Sequence, residues 1–331
     1  MDNNTRPPRN IGLDLLRVTE ATSVSAGRWV GSGQRDKAHL AAMTAMHDAL
    51  STVEMDGVIV IGEEGRMGIN RRSPLDSGER VGTGRGTAVD VVVDPIDGTN
   101  LLIRGHPGAL SLVGVAPRGA MWSPFPAVYL EKIVVDEEAA ESLVPECMDA
   151  PAAWTLALVA RVKGKSVRDL TVKVLDRPRH RDLIEEIRAA GARIILGEEG
   201  DAEGALLAAM PGTDVDILIG IGGASEGVIA ACAVKALNGA MLARLAPQSG
   251  EERAAIAAAG LDAQHIWTVE EMINGNEVFF AATGITRSAL LNGVNYHQEM
   301  VETHSLLLRS ATHTRRFVRA TFMAESISRD D

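Results

Sequence analysis

LTVKVLDRPRHRDLIEEIRAAGARIILGEEGDAEGALLAAMPGTDVDILIGIGGASEGVIAACAVKAL, residues 170–237, alternates short apolar runs with stretches of helical spacing. Leu170–Leu175 reads as a strand, 180–190 as a helix, Arg193–Leu196 as a strand and 202–210 as a helix. Asp214–Ile219 is the next strand, the Gly-rich IGIGG turns the chain, and Glu226–Leu237 is a helix. Such alternation predicts an α/β layer with parallel strands.

Towards the N-terminus, Ile11 to Val30 carries Ile11, Leu15, Leu16 and Val18 at amphipathic helical spacing, and 38–53 forms a second helix. Gly57–Gly62 (GVIVIG) is a buried strand running into Glu63 and Glu64, and residues 65–86 form a polar loop long enough to suggest function. Strands follow at 88–94, 109–115 and 128–135, then at 277–282, 304–309 and 316–322. The acidic segment 136–153, with Pro145 and Pro151, divides the chain into halves at 11–150 and 151–331, preceded by a mobile tail over 1–10.

Of the 331 residues, 46% are hydrophobic, 23% charged and only 3% aromatic, which favours an aliphatic α/β core over an aromatic binding platform. A net charge of −11 argues against nucleic-acid binding, which needs clustered Lys and Arg. It leaves room for an anionic substrate, since a metal and a few arginines reverse the field locally. Two cysteines, Cys147 and Cys232, imply no disulfide framework. With no membrane-length apolar run and no signal-peptide core, the expectation is a cytoplasmic protein without a membrane partner.

The apolar run Val89–Val93 ends in Asp94-Pro95-Ile96-Asp97-Gly98-Thr99. Two carboxylates within one tight turn can converge on a hard cation such as Mg²⁺, which shares its oxygen ligands with substrate phosphates. The Gly98 and Thr99 amides, if they open a helix, point at an anion. The same hexamer also fits a plain strand-end turn.

Glu63 and Glu64 after GVIVIG, and Glu226 after DVDILI, bring further acids to strand ends, where ligands gather in open α/β sheets. Ser225 is a candidate cap for the following helix, leaving the amides of Gly222 to Ala224 for a phosphate. Arg177, Pro178, Arg179, His180 and Arg181 read either as a clamp for a second phosphate or as a solvated basic helix start. Glu199-Gly200-Asp201 could accept hydrogen bonds from sugar hydroxyls, or be a turn with Asp201 as N-cap. Val81–Gly86 (VGTGRG) precedes a strand and so lacks the context of a dinucleotide loop. There is no His/Cys zinc spacing and no serine-hydrolase elbow.

Several blocks together resemble class II fructose-1,6-bisphosphatases of the lithium-sensitive, metal-dependent sugar phosphatase superfamily. They are RVTEA at 17–21, GVIVIGE at 57–63, VGTGRG at 81–86, VDPIDGT at 93–99, YLEKI at 129–133, RPRH at 177–180, GIGGASEGV at 220–228 and AATGIT at 281–286. The resemblance implies a layered α/β/α/β/α sandwich of the fructose bisphosphatase/inositol monophosphatase type, and Mg²⁺- or Mn²⁺-dependent hydrolysis of the 1-phosphate of a sugar bisphosphate. It implies metal ligands at Glu63, Asp94, Asp97 and Glu226, and catalytic roles for Thr99, Asp97, Glu63 and Arg35. Substrate contacts are implied at Asp97, Gly98, Thr99, Tyr129, Arg177, Pro178, Arg179, Glu199, Gly200, Asp201 and Gly223. A homo-oligomer, dimer or tetramer, is implied as well.

Two departures accompany the resemblance. In an ungapped alignment Arg35 stands where the family has Lys, and His39 where it has a metal-binding Asp; sliding to match Asp36-Lys37 puts Ala41 there instead. After Glu63 an acid of the family's GEGE-x-D is lost, while the subsite of Asp94, Asp97 and Glu226 is kept. Alternatives to the fructose 1,6-bisphosphate reading are a paralogue for sedoheptulose 1,7-bisphosphate or another sugar or cyclitol phosphate, and a sugar-phosphate-binding protein without catalysis.

Overall fold

A computed structural model describes residues 10–63 and 73–323. The expected tail, apart from Asn10, and positions 64–72 of the polar loop, Glu64 included, lie outside the described residues. The strand Thr87–Asp97 sits inside an eight-stranded sheet, flanked by Met55–Ile61, which runs parallel to it, and Leu110–Pro117, which runs antiparallel. Beyond Leu110–Pro117 come Phe279–Gly284, Met300–Arg309 and Asn295–His297, with Thr314–Met323 also on Met300–Arg309. Arg80–Val81 closes the other edge.

A second sheet of six strands runs in the order Trp267–Thr268, Ala240–Leu245, Tyr129–Val135, Ile217–Gly223, Thr171–Leu175 and Arg193–Gly197. The expected parallel layer is present only in its last three strands. Tyr129–Val135 enters antiparallel to both of its neighbours. The halves expected at 11–150 and 151–331 therefore do not follow the sheets. Tyr129–Val135 joins the second sheet, and the chain returns to the first from Phe279 onward.

Side-chain alternation along Thr87–Asp97 explains the layering. Val89, Val91 and Val93 pack with Leu15, Leu16, Met43 and Met46 of the helices Gly12–Gly27 and Arg35–Ser51. Val92 faces the other way, onto a core shared with Leu206 of the helix Asp201–Ala209 and Val228–Val234 of the helix Ala224–Ala236. Leu130, Val134 and Leu218 of the second sheet close that middle layer. The outer face of the second sheet, with Ile133, Val172 and Ile219, is covered by Leu156 and Ile187 of the helices Ala152–Val162 and Arg181–Ala189. The order is helix, sheet, helix, sheet, helix, as expected. Full burial of each such aliphatic side chain contributes about 1.5–3 kcal/mol.

The IGIGG segment is strand rather than turn, since Ile217–Gly223 stays paired through Gly223. Its glycines are there for close approach. A Cβ on Gly222 would stand 2.7 Å from Lys132 Nζ, and one on Gly220 would stand 3.1 Å from His180 Nε2. The helices Ala152–Val162 and Gly250–Ala258 and the strand Ala240–Leu245 are additions to the expected elements.

Candidate active site

Strand pairing breaks where Asp94 and Asp97 close Thr87–Asp97. Asp94 stands opposite Leu112 and Asp97 opposite Leu110, so one strand advances three residues while its partner advances two. Such a bulge re-aims side chains, and it brings both carboxylates to one place. Asp94 Oδ1 accepts the Ile96 N–H at 3.0 Å, tightening the turn. Gly98 follows at φ +84°, a left-handed conformation that favours glycine, and the helix Thr99–Arg104 starts after it. The Thr99 hydroxyl donates to the Ile96 carbonyl at 3.1 Å.

Glu226 arrives from the second sheet. The helix Ala224–Ala236 starts one residue after Ile217–Gly223 ends, with Gly223 as its cap residue. Ser225 therefore lies in the first turn and not at the cap. The Gly223 N–H donates to Glu226 Oε2 at 3.3 Å and the Ala224 N–H to the Val128 carbonyl at 2.8 Å. These two amides, expected to be open for phosphate, are thus engaged within the protein.

One oxygen each from Asp94, Asp97 and Glu226 lies within 4.8 Å of the others. Asp97 is 1% exposed, and neither of its carboxylate oxygens has a hydrogen-bond partner among the described residues. Burial pushes its carboxyl well above the usual carboxylate range, and the negative charges of Glu226, Asp94, Asp201 and Glu203 add to the effect. An all-oxygen set with an orphaned, buried carboxylate at its centre fits a hard divalent cation such as Mg²⁺ or Mn²⁺.

The cluster opens onto a cleft of about 830 Å³ whose lining includes Asp97, Thr99, Glu226, Arg35, Arg177 and Arg179. Gly98, Tyr129, Glu199, Gly200 and Gly223 also reach it. Arg35 donates to Asn100 Oδ1 at 2.9 Å, and the Asn100 N–H donates to Glu199 Oε2 at 3.0 Å. Arg177 donates to Glu199 Oε1 at 3.3 Å and completes a polar chain across the cleft. Arg179 commits one edge of its guanidinium to the Ile221 carbonyl, at 2.8 and 3.1 Å, and lies 5.1 Å from the centre of the Tyr129 ring.

Other expected residues stand elsewhere. Asp201 is the first residue of its helix, capped by Gly200, and its carboxylate is buried against Lys132. Pro178 lines a neighbouring hollow of about 270 Å³ that also contains Arg181 and Arg188. Glu63 lies outside the three-carboxylate cluster and approaches His39 instead, at 3.1 Å between Oε2 and Nε2. Two residues were not anticipated. Asn100 links Arg35 to Glu199, and its place directly after the DPIDGT turn was the available signal. Lys132, 0% exposed, was signalled only as the basic residue of the YLEKI strand.

Fold and cleft together define a layered α/β protein in which three clustered carboxylates that could hold a divalent cation stand in one cleft with arginines. Residues 9–322 match the family described as "Bacterial fructose-1,6-bisphosphatase, glpX-encoded", and the chain belongs to that family. It is 35% identical over 325 residues to "Fructose-1,6-bisphosphatase 1 class 2" of Escherichia coli (strain K12), covering 94% of this chain and 95% of the relative. The same identity and coverage relate it to "Fructose-1,6-bisphosphatase class 2" of Shigella flexneri. Among solved structures, the extragenic suppressor protein suhB from Bartonella henselae aligns with a TM-score of 0.35 at 11% identity, over 71% of this chain and 86% of that one. No helix among the described residues is long and apolar enough to cross a membrane.

Proposed function

We propose that this protein hydrolyses the 1-phosphate of fructose 1,6-bisphosphate, consuming one water and releasing fructose 6-phosphate and inorganic phosphate. The observation that carries the reading is the buried Asp97 carboxylate, without a hydrogen-bond partner among the described residues, between Asp94 and Glu226 in a cleft that also holds Arg177 and Arg179. The names of the relatives favour fructose 1,6-bisphosphate over another sugar phosphate, and favour catalysis over binding alone.

Asp94, Asp97 and Glu226 would hold Mg²⁺ or Mn²⁺, which supplies charge neutralisation at phosphoryl oxygens and acidifies bound water. The protein's own residues do the positioning. Because the Thr99 hydroxyl spends its proton on the Ile96 carbonyl, its oxygen is left as an acceptor, and Thr99 is among the residues that line the cleft. That oxygen orients the attacking water by taking a hydrogen bond from it, which aligns the nucleophile for in-line displacement. Arg177, and the edge of Arg179 not used on Ile221, hold the distal phosphate. Their binding energy fixes the sugar so that the 1-phosphate meets the carboxylate cluster.

Phosphorus NMR of the reaction mixture tests this assignment. Resonances of fructose 6-phosphate and inorganic phosphate are expected, and accumulation of fructose 1-phosphate contradicts the proposed orientation.

A further inference from the structure

Ser249-Gly250-Glu251-Glu252 opens the helix Gly250–Ala258 with the spacing of a capping box, in which the last carboxylate returns to the amide of the first residue. Ser249 keeps its half, since its hydroxyl oxygen accepts the Glu252 N–H at 3.0 Å. Glu252, 9% exposed, sends its carboxylate elsewhere. Its Oε1 accepts the Val128 N–H at 2.7 Å and the Tyr129 N–H at 3.1 Å, and its Oε2 accepts the Gln248 N–H at 2.8 Å. Amide hydrogen bonds to a carboxylate are roughly twice as strong as those between neutral groups. A side chain 123 residues away in sequence thus fixes the start of the strand Tyr129–Val135.

Tyr129 lines the cleft, and the Arg179 guanidinium lies 5.1 Å from the centre of its ring, within cation–π range. Arg179 therefore has two supports. One is the Ile221 carbonyl; the other is the Tyr129 ring, whose backbone Glu252 holds. Glu252 itself is not among the described residues that line the cleft.

We propose that Glu252 is a positioning residue for the distal phosphate: it fixes Tyr129, and Tyr129 places Arg179. The proposal rests on the reading of Arg179 as a holder of that phosphate.

A double-mutant cycle with Arg179, read by phosphate release from fructose 1,6-bisphosphate with Mg²⁺ in excess, tests it. Glu252→Ala is expected to raise KM about 10-fold while kcat changes about two-fold or less. In an Arg179→Ala background the same substitution is expected to leave KM unchanged, because the group it positions is gone. An equal rise in both backgrounds, or no rise in either, overturns the proposal. The equal rise would mean that Glu252 acts by another route, such as the Val128 carbonyl that accepts the Ala224 N–H at the start of the Glu226 helix. Glu252→Asp keeps the charge in the first helical turn and withdraws the oxygens by one methylene, so it decides the matter if Glu252→Ala does not fold. Its KM is expected to rise only with Arg179 present, and a wild-type KM overturns the proposal. A wild-type KM for Arg179→Ala alone would instead overturn the distal-phosphate reading, and the proposal with it.

Discussion

His180 Nε2 accepts the Ile221 N–H at 2.7 Å, while its Nδ1 lies 2.7 Å from the Leu175 carbonyl. An amide N–H can only donate, so the ring proton sits on Nδ1 and the imidazole is neutral. Arg179, one residue earlier, binds the carbonyl of the same Ile221. The basic segment and the glycine-rich strand that leads to Glu226 are therefore held together through one residue.

That tautomer makes stability pH-dependent. Burial lowers the His180 pKa below its ordinary 6.5; the Leu175 carbonyl and Asp201 oppose the shift, while Arg179 and Lys132 reinforce it. On acidification the unfolded chain takes up the proton first, so the stability is present above pH 6.5 and is lost as pH falls through the lower folded value. His304, lowered by burial and by Arg319, acts with the same sign. Asp97 and Glu20, raised by burial, act with the opposite sign in both proteins, so urea unfolding in chelator is read as a difference: wild type is expected to lose more stability than His180→Asn between about pH 7.5 and 5.5. Equal losses would contradict the account.

Asp97→Asn removes the buried carboxylate and keeps its shape. Phosphate release is expected to drop at least about 100-fold, the scale of losing one preorganised electrostatic group. In chelator the variant should unfold no earlier than wild type, because a poorly solvated acid has been neutralised. Added Mn²⁺ should raise the unfolding temperature of wild type only.

Lys132 and Asp201 form a buried ion pair beneath Gly222. Lys132→Met leaves Asp201 buried without its partner and should cost about 3–5 kcal/mol by urea denaturation. Lys132→Met with Asp201→Asn should recover most of that loss, and a double variant as unstable as the single one would contradict the pairing.

Arg177 lines the same cleft as Asp97 and Glu226, and its guanidinium donates to Glu199. Arg177→Ala is expected to raise KM for fructose 1,6-bisphosphate about 10- to 100-fold, the worth of charge-assisted hydrogen bonds to phosphate. A fall in kcat of similar size with KM unchanged would place Arg177 at the reacting phosphate instead.

The layered fold was legible because the apolar runs were long and their period changed from strand to helix. Val89–Val93 and Ile217–Ile219 could be buried on both faces only inside a sheet covered on both sides. Strand direction was not legible. Whether Tyr129–Val135 joins the first or the second sheet depends on packing against Ile217–Gly223, which no local pattern encodes. IGIGG was read as a turn because the buried groups that demand glycine there, Lys132 and His180, come from distant segments. Asp94, Asp97 and Glu226 were legible as acids at strand ends. The partners of Glu63 and Asp201 were not, since His39 and Lys132 meet them only through tertiary structure.

Phosphate release from fructose 1,6-bisphosphate by the wild-type chain, stripped by chelator and then supplied with Mg²⁺ or Mn²⁺, tests the central claim most directly. The account predicts no release from the stripped protein and full recovery on adding the ion. Release that persists in chelator, or none with either ion restored, would contradict it.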